Sequence, residues 1–293
     1  MSEPPDIPKL RMAPLETMDD LTHRLERERR AEDLQRESNL EDSLAPFRVG
    51  SVPYLNAVPL TRGLEEQIVF APPSQLGEML RRGELDAALL SITEVLFSQS
   101  YEILDSIAIA SLGEVFSVFL AHSEPLEEIE VVECDPASLT SVNLLKVLLS
   151  ERGLHPQFKP LAGPPREARN VLLIGNPAIE FRRASHEHEI WDLGAAWFDL
   201  TQLPFVYAVW ALQRTKDTSK LRRLLREARD FGLDTLDYHI ENRRDFDRAF
   251  RKDYLGWHIH YHLGSDEKRG IAKFVDLLRK HSGRPVFEPC FVP

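Results

Sequence analysis

The stretch Arg48-Val-Gly-Ser-Val-Pro-Tyr-Leu-Asn-Ala-Val-Pro-Leu60 decides how the rest of the chain folds. Phe47 to Val49 has the apolar character of a short buried strand, and Gly50 then allows a backbone geometry that a residue with a Cβ resists. Ser51 is placed to cap the turn that follows, ahead of an expected helix. Such a unit gathers backbone N–H groups with the side chains of Ser51, Tyr54 and Asn56, an arrangement suited to an anion. An ordinary capped turn has the same spacing, so the neighbouring elements must choose between the readings.

Working outward, Ile68-Val-Phe-Ala71 reads as a second strand and residues 73–83 as a helix capped by Ser74 and ended by Gly83. Leu85-Asp-Ala-Ala-Leu-Leu90 is a third strand, running into Ser91-Ile-Thr-Glu94. Short apolar strands alternating with helices indicate a parallel sheet, and ligands bind such sheets beyond the carboxyl ends of their strands. Ser51, Ser91 and Thr93 all lie at such ends.

Residues 107–111 and 115–121 are strands with no helix between them, a connection that leaves the first sheet. A second α/β unit opens at Ile129, and the N-terminus of its helix carries Ser138, Thr140 and Ser141, more hydroxyls than one cap requires. Val171-Leu-Leu-Ile-Gly175 is a further strand, with Asn176 opening a helix, and residues 204–211 carry the chain back. The expected fold is α/β, two lobes around a ligand cleft with C-terminal helices. Residues 47–117 and 207–293 form lobe 1, and residues 118–206 form lobe 2. Residues 1–46 stand apart as a charged extension, Pro-rich from Met1 to Pro14 and disordered or partly helical, whose partner the sequence does not identify.

Composition narrows the function. A formal net charge of −11 over 293 residues argues against a nucleic-acid footprint. No apolar run approaches the ~20 residues of a membrane span, and the N-terminus lacks the apolar core of a signal peptide, so a cytoplasmic protein is expected. Two cysteines, Cys134 and Cys290, make no disulfide framework. The run His258-Ile-His-Tyr-His262 invites a metal reading. No acidic or thiol ligand sits suitably close in sequence, and on a helix His258 and His262 would share a face without His260, so no metal is expected. No P-loop, dinucleotide fingerprint or Gly-x-Ser-x-Gly elbow is present, and no cofactor is expected.

Several runs, taken in order, resemble the chorismate dehydratase family of the futalosine route to menaquinone. They are Arg48 to Leu60, Gly83-Glu-Leu-Asp-Ala-Ala-Leu-Leu-Ser-Ile-Thr-Glu94, Ser111-Leu-Gly-Glu-Val-Phe-Ser-Val118, and Asp135-Pro-Ala-Ser-Leu-Thr-Ser141. Leu173-Ile-Gly-Asn-Pro-Ala178, Asp192-Leu-Gly-Ala-Ala-Trp197 and Leu203-Pro-Phe-Val-Tyr-Ala-Val-Trp210 follow. The resemblance covers residues 47–280 and implies the type II periplasmic-binding-protein fold. It also implies loss of water from chorismate to give 3-[(1-carboxyvinyl)oxy]benzoate. Two departures stand out. The family's usual Asp is Asn176 here, and its Ser-Ser pair before Glu94 is Ser91-Ile92.

With that resemblance, Asn56 and Ser91 become the candidate catalytic residues. Ser51, Tyr54, Thr93, Ser138, Thr140, Ser141 and Asn176 become candidate contacts for the two carboxylates of chorismate. Glu94 and Glu114 are the carboxylates nearest the expected cleft, and Glu94 at a helix start suits a dipole partner. A substrate carboxylate is therefore the expected proton acceptor, with the protein supplying position. The alternative is a non-catalytic binding or sensing protein of the same fold.

Overall fold

The computed structural model describes residues 18–134 and 139–293. Two sheets organise it. The first contains β1 (Val49–Ser51), β2 (Ile68–Phe70), β3 (Ala87–Ser91), β4 (Tyr101–Ser111), β10 (Phe205–Gln213) and β11 (Phe291–Val292), in the order β11-β4-β10-β3-β1-β2. The second contains β5 (Val118–His122), β6 (Val131–Cys134), β7 (Gln157–Pro160), β8 (Asn170–Ile174) and β9 (Glu189–Asp192), in the order β7-β6-β8-β5-β9. In each sheet three neighbouring strands run parallel (β2-β1-β3 and β7-β6-β8) and an antiparallel strand, β10 or β5, joins them. The chain leaves the first sheet after Ser111 and re-enters it at Phe205, so residues 112–117 and 202–204 are the two crossings. This is the expected two-lobe α/β architecture.

The parallel pairing fixes where the ends point. β1 and β3 share register at Val49↔Ala87, so Ser51 and Ser91 emerge on the same side. β6 and β8 do likewise through Cys134↔Leu172, sending α4 (Leu139–Ser150) and α5 (Gly175–Arg183) out of one side of the second sheet. β1 and β3 are buried along nearly their whole length, which is why they read as continuous apolar runs rather than alternating ones.

Three local expectations change. Strand β1 begins at Val49 and includes Ser51, so Ser51 is a buried strand residue and not the cap of a turn. The segment after it, Leu55–Leu60, is a 3₁₀ helix containing Pro59, which has no N–H to give a longer ladder. Helix α2 (Pro73–Arg81) starts with Pro73 in its first turn and Pro72 at the cap, leaving Ser74 exposed and uninvolved. Gly83 after it does take the left-handed geometry, at φ +74°.

The extension contains a continuous helix, α1 (Met18–Leu44). Its loosely spaced Leu25 and Leu34 are exposed, and the anchorage comes instead from Leu40 and Leu44, both buried. Burying two leucines contributes roughly 1.5–3 kcal/mol each, enough to hold the last turns down. Leu40 lies over Gly63 and Arg36 reaches Asp234 of α7 (Ser219–Asp234) at 3.0 Å. Arg62, almost fully buried, joins Glu37 of α1 at 3.1 Å while its guanidinium lies 4.0 Å from the Tyr238 ring centre. The reading of Met1 to Pro14 falls outside the described residues. No described helix is long and apolar enough to cross a membrane.

A candidate substrate cleft between the lobes

The carboxyl ends of the parallel strands of both sheets face one cavity of about 640 Å³, including its open mouth. Tyr54, Asn56 and Ser91 line it from the first lobe, and Thr140, Ser141 and Gly175 line it from the second. Among the described lining residues none is Asp, Glu, Lys, Arg or His. The polar atoms offered to a ligand are therefore amides and hydroxyls.

Asn56 is half-buried at the second position of the 3₁₀ turn, and its Oδ1 is buried with no hydrogen-bond partner. An unpaired buried carbonyl oxygen costs about 1–3 kcal/mol, so the position is arranged for something other than stability. Beneath it, Tyr254 is fully buried and donates its hydroxyl to Ser117 Oγ at 2.7 Å. Burial raises the Tyr254 pKa, and hydrogen bonding from Ser117 and Asn56 only partly opposes the rise. Tyr254 is thus a fixed neutral donor beside Asn56.

Ser91 sits at the N-cap of the short helix α3 (Ile92–Leu96) and makes no cap hydrogen bond, leaving its hydroxyl for the cavity. Thr93 is placed differently. Its N–H donates to Thr140 Oγ1 across the cleft at 3.0 Å, and its own Oγ1 is buried without a partner behind the wall. Thr140 therefore has a structural partner as well as a place on the wall. Ser141, buried in the first turn of α4, lies beside it, where N–H groups have no intrahelical acceptor. Ser138 lies outside the described residues.

Ser51 and Asn176 are not on the cavity wall. Ser51 is fully buried with an unpartnered Oγ, because its strand geometry turns the side chain into lobe 1. Asn176 Oδ1 instead accepts the N–H of Leu55 at 3.1 Å, capping the 3₁₀ turn of the opposite lobe. Tyr54 contacts lobe 2 as well. A Cβ built on Gly175, which has φ +63°, would meet the Tyr54 ring at 3.2 Å, so any other residue there would be strained in its backbone and would crowd that ring.

Neither candidate carboxylate base enters the cavity. Glu94 points to Arg81, 3.4 Å away, and packs on Gly77. Glu114 pairs with Arg182. Sequence reasoning missed Tyr207, which lines the cavity from β10. Its hydroxyl meets Ser111 Oγ at 3.1 Å, and burial drives its pKa well above the usual value for a phenol. A strand tyrosine in an apolar run carries no mark of its own, so only the pairing of β10 with β3 and β4 reveals it.

The crossing 112–117 is pinned by Asp192, the N-cap of α6 (Leu193–Thr201). Its Oδ1 accepts the N–H of Gly194, Ala195 and Val115 at 3.0–3.1 Å, and its Oδ2 accepts that of Phe116 at 2.8 Å. Burial raises the Asp192 pKa despite these bonds. Phe116 holds φ +67°, an unfavourable conformation for a side chain of that size, with the Arg182 guanidinium 4.2 Å over its ring. Gly194 approaches so closely that a Cβ would lie 2.4 Å from the carbonyl oxygen of Gly113.

Comparison with known proteins agrees with this architecture. The family model described as "Menaquinone biosynthesis" matches residues 47–280. A chorismate dehydratase of Thermus thermophilus is 34% identical over 276 residues, covering 85% of this chain and all of that protein. One from Campylobacter jejuni is 26% identical over 227 residues, covering 76% and 89%. Protein AF1704 of Archaeoglobus fulgidus has a similar structure, with a TM-score of 0.63 at 18% identity over 80% of this chain and 97% of that one. The alkanesulfonate-binding protein SsuA of Xanthomonas axonopodis pv. citri scores 0.60 at 13% identity over 82% and 94%, which extends the likeness of fold to periplasmic binding proteins. With a family model spanning most of the chain and a full-length relative at this identity, the chain belongs to the menaquinone-biosynthesis family that includes the chorismate dehydratases.

Proposed function

We propose that this chain removes water from chorismate to give 3-[(1-carboxyvinyl)oxy]benzoate, mainly by positioning its substrate. The observation that carries the reading is the cavity wall, which offers the unpartnered Oδ1 of Asn56 and the Ser91 hydroxyl but, among the described residues, no ionised side chain. Both relatives named chorismate dehydratase support the substrate. The reaction breaks the ring C3–H bond, turns its electron pair into a ring double bond, and expels the C4 hydroxyl as water. Aromatisation supplies the driving force. With Glu94 and Glu114 turned away, a carboxylate of the substrate accepts the C3 proton and returns it to the departing C4 oxygen, so that the two leave together as water, while Asn56 and Ser91 hold the geometry and hydrogen-bond the departing hydroxyl. Helix α4 receives a carboxylate at its first turn, beside Thr140 and Ser141. The division into residues 47–117 with 207–293, and 118–206, belongs to this reading, and the strand membership of the two sheets supports it, except that β10 joins the first sheet from Phe205, two residues before that boundary.

The test is direct. Purified protein is incubated with chorismate alone, and loss of chorismate and growth of the aromatic product are followed together. Stoichiometric conversion without added cofactor is the expected result. Binding without conversion would place the chain among non-catalytic carboxylate binders, and absence of both would reject the proposal.

A further inference from the structure

Away from the cleft, His260, His262 and Glu267 form a compact cluster whose ligand atoms all lie within 4.8 Å of one another. The sequence argued against a metal here because the three histidines would not share a face on a helix and no acidic neighbour was found. The structure reverses both premises. Residues 259–264 are not helical, so His260 and His262, two positions apart, fall on one side, and Glu267 arrives from the first turn of α10 (Ser265–His281). His258 takes no part, since its Nδ1 faces the Glu114 carbonyl oxygen at 3.1 Å and its Nε2 faces Asp253 at 3.3 Å.

The cluster is held from two directions. Glu267 is buried, and its Oε2 accepts the N–H of Gly264 at 2.8 Å, which fixes the carboxylate and aims Oε1 outward. His260 is fixed through its backbone, which forms an antiparallel bridge with Ala110 of β4. The Nε2 atoms of His260 and His262 stand 3.1 and 3.3 Å from that same Oε1. These are hydrogen-bond distances when Nε2 carries the proton, and they also match two edges of a tetrahedron, about 3.3 Å for metal–ligand bonds of about 2.0–2.1 Å. His262 is exposed, so its side chain is free to rotate as closing the third edge requires, and the fourth position falls to solvent. Two imidazoles and a carboxylate are the donor set of Zn²⁺ and its late first-row neighbours, and are poorly suited to Ca²⁺ or Mg²⁺.

We propose that His260, His262 and Glu267 bind one Zn²⁺-type divalent cation. Each neutral imidazole carries its proton on Nδ1 and presents Nε2, and Glu267 presents Oε1. The cation clips the first turn of α10 to the segment paired with β4, one residue from Ile109 on the cavity wall.

The experiment uses the full chain without a polyhistidine tag, stripped with a chelator and titrated with Zn²⁺ by calorimetry and with Co²⁺ by absorption. One equivalent of Zn²⁺, an intense visible Co²⁺ band of tetrahedral type, and a rise in melting temperature of about 5 °C at a hundredfold excess over Kd are expected. His262→Ala, an exposed change, should weaken Zn²⁺ binding at least tenfold, roughly the lower bound for disturbing a metal's ligand environment, and leave the melting temperature of the stripped protein unchanged. Glu267→Gln should abolish binding but also loosen the cap at Gly264. Failure to take up stoichiometric Zn²⁺, or equal binding by wild type and His262→Ala, would overturn the proposal.

Discussion

Asn176 and Leu55 belong to opposite lobes, and the side-chain oxygen of the first accepts the backbone N–H of the second at 3.1 Å. The bond fastens the mouth of the cavity without entering it. Asn176→Ala should therefore raise KM for chorismate about fivefold, the equivalent of one hydrogen bond of about 1 kcal/mol, with kcat little changed. Asn176→Asp should keep the contact or tighten it through its charge. Steady-state kinetics separates the two parameters, and a fall in kcat alone would place Asn176 in the chemistry instead.

Asn56→Ala removes the unpartnered Oδ1 from the wall. A loss of about 10²–10³ in kcat is expected, in line with deletion of one preorganised polar group aimed at a reacting centre. Chemical denaturation should show a loss of about 1 kcal/mol, because Oδ1 has no protein partner to lose but the Asn56 amide also hydrogen-bonds the Tyr254 hydroxyl.

Glu94→Gln and Glu114→Gln should each keep turnover within about tenfold of the wild type. Their pairs with Arg81 and Arg182 lie outside the cavity, and Glu94 and Glu114 are both partly solvated, so little stability is at stake. A loss beyond about a thousandfold in either would make that residue a general base and reject substrate-assisted proton removal.

His239 in α8 (Leu236–Asn242) is buried, and burial followed by repulsion from Arg62 and Arg243 lowers its pKa to about 3. The unfolded chain therefore binds a proton on this side chain that the folded chain does not, across the range from the ordinary value of 6.5 down to about 3. The resulting stability is present above pH 6.5 and is lost on acidification. Between pH 7 and pH 5 the loss from this group is about 2 kcal/mol. Melting curves of wild type and His239→Gln should converge over that interval, and parallel curves would contradict the assignment.

Leu44→Ala should cost about 2–5 kcal/mol, because Leu44 is fully buried against the first lobe. Urea denaturation that leaves the midpoint unchanged would show α1 to be detachable from the fold.

The two-lobe plan was legible because buried parallel strands write themselves as short apolar runs, and their carboxyl ends identified Tyr54, Asn56, Ser91, Thr140 and Ser141 as neighbours of one cleft. The failures share a cause. Whether Ser51 caps a turn or ends a strand depends on one residue of register, and pairing with β2 decides it. Asn176 and Thr93 spend polar groups on the opposite lobe, a partner more than forty residues away in each case. Tyr207 and Glu267 matter only through tertiary placement, so local spacing gave no sign of them.

The fastening of residues 112–117 by Asp192 has a mechanical consequence. Two connections that cross between bodies would ordinarily permit twisting as well as bending. Here the first is tied to the start of α6, the helix that leads into the second, and Gly194 brings backbone against backbone with no side chain between. Tied in this way, the two crossings resist twisting against each other more than bending together. The same tie holds the two walls that carry Asn56, Ser91 and Ser141 in a reproducible relation, which the orientation-based dehydration proposed above would use.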